Sequence, residues 1–116
     1  MIRWCHQLEI YFKNKKTREL CEKSSVAKQK LGKACARKLR TRMDDLEAAE
    51  NVTDLVAGNP HPLKGDRAGQ FAVSLAGGVR LVFSPKNDPC PQHGDGSIDW
   101  SKVTIICIEY TGDYHD

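Results

Sequence analysis

The chain has 116 residues, 40% of them hydrophobic and 28% charged, which suits one globular domain with its own core rather than a disordered or fibrous chain. Its net charge of +3 conceals an asymmetry: 12 Lys/Arg against Glu19 and Glu22 between Lys13 and Arg42, then 6 basic against 13 acidic residues elsewhere. The longest apolar run, Ile105–Ile108, is far short of a membrane helix, and Met1–Gln7 lacks the apolar stretch of a secretory signal. The expected location is therefore the cytoplasm, where five widely spaced cysteines without a C-x-x-C pair read as free thiols.

Met1–Gln7 is expected to be an N-terminal tail, with one domain spanning residues 8–116. Leu8–Phe12 alternates as a short strand, and Lys15–Lys23 reads as a first helix, with Ser24-Ser25 as a break and N-cap. From Val26 to about Glu50, Ala27, Leu31, Ala34/Cys35, Leu39, Met43, Leu46 and Ala49 recur at steps of three and four, which predicts one long amphipathic helix. Gly32 lies inside that span, at a cost of about 1 kcal/mol relative to Ala. Asp44, Asp45, Glu47 and Glu50 crowd its C-terminal end, where the helix dipole disfavours acids. Asn51–Gly58 extends the helix by a turn or forms a loop, and Asn59-Pro60-His61-Pro62 ends helical structure.

The period then changes to two. Gln70–Leu75 is a strand, Ala76-Gly77-Gly78 a tight reversal, and Val79–Phe83 the antiparallel partner. Pro85–Ile98, rich in Pro, Gly, Asp and Asn, is an exposed loop, and Trp100–Tyr110 supplies the last strand. The expected fold class is α+β: an N-terminal strand and a basic helical hairpin packed on a small, mostly antiparallel sheet. Cys90 and His93 have a ligand-like separation, but two ligands fall short of the four a structural zinc site needs, so no metal or cofactor is expected.

The basic block from Lys13 to Arg42 suits a polyanionic partner, nucleic acid before an acidic protein. The plainer alternative is a solvated helix face. The chain also carries proton-handling groups where a strand ends, in Asp113-Tyr114-His115, with His61, Lys64 and Arg80 upstream. Metal-free RNA cleavage needs these residue types. The substrate's own 2′-OH is the nucleophile, so the protein must take its proton, protonate the 5′-oxygen leaving group and stabilise the phosphorane. Histidine populates both protonation states near neutrality, Arg80 offers a bidentate fork to phosphate, and Lys64 a point charge. Asp113 is a base or a histidine-orienting group, Tyr114 a stacking or hydrogen-bonding group, and the assignment of base and acid stays open. Each residue also has an ordinary reading: His61 as a loop residue, Lys64 and Arg80 in surface ion pairs with Asp66 or Glu109, and Tyr114-His115 as a tail. Trp100 and Phe71 are expected in the core.

In order and spacing, His61-Pro62-Leu63-Lys64-Gly65-Asp66-Arg67, Gly69-Gln70-Phe71, Arg80-Leu81-Val82-Phe83, Trp100-Ser101-Lys102-Val103 and Asp113-Tyr114-His115 resemble the HigB-type toxins of the RelE/ParE superfamily. The resemblance runs from about Leu8 to His115. It implies the same strand–helices–sheet fold and a toxin of a type II toxin–antitoxin pair that cleaves mRNA on the ribosome, without a cofactor. It further implies catalytic roles for His61, Lys64, Arg80, Asp113, Tyr114 and His115, and a cognate helix-turn-helix antitoxin of the HigA type. The helix residues Lys28, Lys30, Lys33, Arg37, Lys38, Arg40 and Arg42 would then meet ribosomal RNA by sequence-independent phosphate contacts. Two rival functions share these features: a ParE-like protein that binds gyrase without cutting, and a basic nucleic-acid-binding module.

Overall fold

The computed structural model describes residues 8–113, apart from the side chains of Asp66 and Asp113. Strand β1 (Glu9–Phe12) leads into helices α1 (Lys15–Glu22), α2 (Ser24–Leu31) and α3 (Lys33–Ala48). Then come β2 (His61–Pro62), β3 (Phe71–Ser74), β4 (Val79–Pro85) and β5 (Ile105–Asp113). The five strands form one sheet in the order β1-β5-β4-β3-β2, with β1 parallel to β5 and the other pairs antiparallel. The α+β expectation holds.

Three details differ from the sequence reading. The long helix is two helices, because Gly32 adopts φ +89° and ψ 163°, a conformation nearly reserved for glycine, and caps α2 as α3 begins. The glycine is thus a break rather than a tolerated interior residue, and the hairpin becomes three helices. The break before α2 is capped by Lys23 without a side-chain bond, so Ser24 and Ser25 already lie inside the helix. Trp100 belongs to a 3-10 turn, Trp100–Lys102, and β5 starts only at Ile105. Asn51–Gly58 is chiefly a loop around a 3-10 turn, Val52–Asp54, closed by a reciprocal capping box between Asn51 and Asp54.

The helices cover one face of the sheet. Ala27, Leu39, Met43 and Leu46 meet Val73, Leu81, Phe83, Ile106 and Ile108, all buried, and Phe71 stacks on Phe83 with ring centroids 5.6 Å apart. Trp100 completes this cluster 4.9 Å from Phe71, as expected for a core residue. The acids at the end of α3 acquire a reason here. Asp44 accepts from Arg40 at 2.7 Å and Asp45 lies 3.2 Å from Arg42, so the helix's own upstream cations offset their unfavourable place on the dipole. Among the described residues, no helix is long and apolar enough to cross a membrane.

Burial of Cys21 in this interface pushes its thiol up from 9.0 to about 12. The folded state therefore holds a proton that the unfolded chain releases first. The resulting stability is complete below the unfolded value and is lost as pH rises from about 9 towards about 12. Denaturant midpoints are expected to fall more steeply with alkaline pH in the wild type than in Cys21→Ala; equal slopes would remove the thiol as the cause. Gly32→Ala meets no neighbour, yet it is expected to cost about 1–3 kcal/mol through its backbone alone, read by urea unfolding.

Candidate RNA-cleaving site on the open sheet face

His61, Arg80 and Tyr110 lie on the face of the sheet turned away from the helices. Between β4 and β5 the register runs Val82↔Tyr110 and then Phe83↔Ile108, so Glu109 is an extra residue, a β-bulge. Strict alternation would place Tyr110 with Ile106 and Ile108 among the helices. The bulge reverses the phase, and Tyr110 packs instead on the open face against Leu63, Ala72 and Val82. The bulged Glu109 accepts a 2.7 Å bond from the Ser84 hydroxyl. It is thus engaged with Ser84 rather than serving as the ion-pair partner weighed for Arg80.

Cross-strand register then aligns two rows on this face. His61 pairs with Ala72, Ala72 with Val82, and Val82 with Tyr110. Two residues along, Ser74 pairs with Arg80 and Arg80 with Gly112. Adjacent strands lie about 4.8 Å apart with a rise of about 3.3 Å per residue, which sets the His61 and Arg80 Cα atoms about 12 Å apart. Two side chains of ordinary length can close on a phosphodiester in that gap. Arg80 is half-buried, its Nη1 donating to the Gly78 carbonyl at 3.4 Å.

His61 is a strand residue, not merely a residue of the proline loop, and its ring is oriented from below. Its Nδ1 lies 2.8 Å from the Asn59 carbonyl oxygen, which can only accept, so Nδ1 carries the hydrogen. In the neutral ring Nε2 then keeps its lone pair and is a hydrogen-bond acceptor. Asn59 presents that carbonyl from a left-handed conformation, φ +49°, which Asn tolerates better than most residues. Gly58 before it, φ +85°, accepts a 2.6 Å bond from Ser74 N. A methyl on Gly58 would come 3.1 Å from Ser74 O and 3.2 Å from Arg42 Cδ.

Arg42 therefore lies beneath this turn and not on the exposed basic face where the sequence places it. It is 8% exposed; its Nη1 sits 3.2 Å from Asp45, but neither Nη1 nor Nε makes a well-directed hydrogen bond among the described residues. The amphipathic pattern misses this because Arg42 lies against the Gly58 turn, which is distant in the chain. Arg40 is exposed but committed to Asp44 and, at 3.7 Å, Glu47. Lys28, Lys30, Lys33, Arg37 and Lys38 are exposed.

Lys64 is exposed and caps the 3-10 turn Gly65–Arg67 that folds over the open face. That turn brings in a residue the sequence reading passed over: the Arg67 guanidinium stands 5.1 Å over the Tyr110 ring. Tyr110 also folds across Gly112, where an added Cβ would lie 2.5 Å from the phenol oxygen. Beside it, a groove of about 610 Å³ is bordered by Lys13, Lys16, Lys30, Glu109 and Tyr110. The backbone of Asp113 pairs with Val79, one position beyond the Arg80–Gly112 row. Tyr114 and His115 fall outside the described residues, as does the Met1–Gln7 segment read as a tail.

No family model matches the sequence, and no curated protein matches it. Solved structures do share the fold. The YoeB/ParE toxin from Agrobacterium tumefaciens superposes with a TM-score of 0.58 at 13% identity, covering 93% of this chain and all of that one. The YoeB dimer from Staphylococcus aureus gives 0.55 at 17% identity, covering 95% of this chain and 99% of that one. The chain thus has the fold of the YoeB/ParE toxins. At these identities the likeness is one of architecture, and the HigB-type likeness rests on the residues quoted above.

Gly112→Ala is expected to keep the fold while swinging Tyr110 off the Arg67 guanidinium, because the obstructed atom is the far end of a movable side chain. Tyrosine fluorescence and anisotropy should change with the melting midpoint nearly constant; an unchanged tyrosine signal would contradict the packing described.

Proposed function

We propose that the protein is the toxin of a type II toxin–antitoxin pair and acts as a ribosome-dependent mRNA endoribonuclease. The observation that carries this reading is the placement of His61, Arg80 and the end of β5 on one open sheet face, with the Arg67 guanidinium over Tyr110 there. The fold shared with YoeB/ParE toxins supports it.

In the proposed reaction the 2′-OH proton passes to a base, for which His61 Nε2 is free while Nδ1–H is held by Asn59. The 2′-oxygen attacks the adjacent phosphorus, Arg80 and Lys64 hold the extra charge of the phosphorane, and the P–O5′ bond breaks. The 5′-oxygen takes a proton from an acid, for which His115 is the candidate, with Asp113 orienting it and Tyr114 stacking on a base. The products are a 2′,3′-cyclic phosphate and a 5′-hydroxyl, so the step balances without a metal. Tyr110, under the Arg67 guanidinium, offers a second stacking surface. The exposed Lys28, Lys30, Lys33, Arg37 and Lys38 supply salt-sensitive docking to ribosomal RNA. The partner that restrains the protein is an antitoxin of the HigA type, and the working location is the cytoplasm.

Expression without a partner is expected to arrest growth and yield mRNAs cut within translated codons, mapped by 5′-end sequencing. Lys64→Ala, His61→Gln and His115→Ala should each lower cleavage by roughly 10²–10⁴-fold while circular dichroism stays native. Full cleavage in all three would remove the site assignment. Intact mRNA with DNA damage would point instead to gyrase poisoning, and nucleic-acid binding with neither effect to a plain binding module.

A further inference from the structure

The sheet changes its edge partway along β5. β1 pairs with β5 only from Glu9↔Ile105 to Phe12↔Ile108, and the last bond runs from Lys13 N to Ile108 O at 3.0 Å. Beyond Ile108, β5 is bonded to β4 alone among the described residues, and residues of α1 and α2 stand beside it instead of a strand. By alternation past the bulge, the Thr111 N–H and C=O turn toward that free side. The groove of about 610 Å³ lies there.

Its walls divide by chemistry. Leu20 and Val26, both half-buried, give it an apolar side, and Tyr110 borders it from β5. Lys13, Lys16 and Lys30 are exposed on its rim, and none of the three forms an ion pair among the described residues. The acids that border it are already engaged: Glu19 accepts from Lys23 at 3.3 Å and Glu109 from Ser84 at 2.7 Å. Three uncommitted cations around an apolar cleft of this size suit a chain that is anionic at intervals and flat between them.

Tyr110 joins this groove to the open face, because the same ring packs against Leu63, Ala72 and Val82 and lies under the Arg67 guanidinium. We propose that single-stranded RNA crossing the open face continues past Tyr110 into the groove, which then holds a nucleotide flanking the cleaved bond. The base packs against Leu20, Val26 and Tyr110 while Lys13, Lys16 and Lys30 meet the phosphates. The Thr111 N–H is a further donor, to a phosphate or sugar oxygen. This path rests on the cleavage site proposed above for its RNA. An extended peptide would find only Thr111 and Asp113 turned outward to pair with, a ladder too short for a strand.

The test uses the purified full chain and a fluorescein-labelled 2′-O-methyl decanucleotide, which lacks the 2′-OH that cleavage needs. Anisotropy across a salt series reads the affinity and its salt slope. Lys13→Ala, Lys16→Ala and Lys30→Ala should each make the slope shallower by about 0.7, the value for one phosphate contact on a single strand. Val26→Glu sets a carboxylate on the apolar wall and should weaken binding roughly tenfold or more, with circular dichroism reporting its fold. Lys102→Ala, exposed and outside the groove, should change neither quantity. With 4-thiouridine in the oligonucleotide, photocrosslinks should fall within residues 13–30 as well as on the strands. No binding by the wild type, unaltered slopes in all three lysine variants, or crosslinks confined to the strands would each overturn the proposal. So would tighter binding of an Asp/Glu-rich decapeptide that the same variants lose, which would give the groove to an acidic protein. Groove binding without cleavage of ordinary mRNA on ribosomes would remove the cleavage reading and leave the groove as an RNA site.

Discussion

The single extra residue in β5 decides what this sheet can do. Without the bulge at Glu109, the alternation of Ile106 and Ile108 would carry Tyr110 into the helix interface and Thr111 out of it. With it, the first half of β5 packs against the helices, while Tyr110 and Gly112 turn to the open face beside Val82 and Arg80. One unpaired residue thus lets a strand serve the core at one end and a polar face at the other. The Ser84–Glu109 hydrogen bond gives the bulged carboxylate a partner.

The same separation of duties appears on the far side of the sheet. His61 is held by a backbone carbonyl from a turn that needs a glycine at Gly58 and tolerates Asn at Asn59. That turn is pressed between Ser74 and the buried Arg42 of α3. A helix residue so becomes part of the support for a ring on the opposite layer, and the cost of burying its guanidinium is set against a fixed imidazole. The exposed lysines of α2 and α3 have no such burden and remain available to a polyanion.

Much of the architecture was legible in the chain because each element carries its own period. Ala27, Leu39, Met43 and Leu46 recur at helical spacing, and Phe71–Ser74 and Val79–Pro85 flank a glycine pair that only a tight reversal accommodates. The division of the long helix at Gly32 was harder to see. A glycine at one position reads alike as a tolerated interior residue or as a stop until its dihedral angles are known.

The sequence by itself determined the α+β layering, the charge asymmetry and the reactive residue types, since these follow from hydrophobic period and composition. Tertiary structure decided which of those residues share a surface. It set His61 and Arg80 in adjacent rows, moved Tyr110 and Arg67 into contact, and buried Arg42 beneath Gly58. The physical reason is that a bulge, a left-handed turn and a cross-strand register act between residues far apart in the chain. No local pattern encodes the half of each contact that the distant partner supplies.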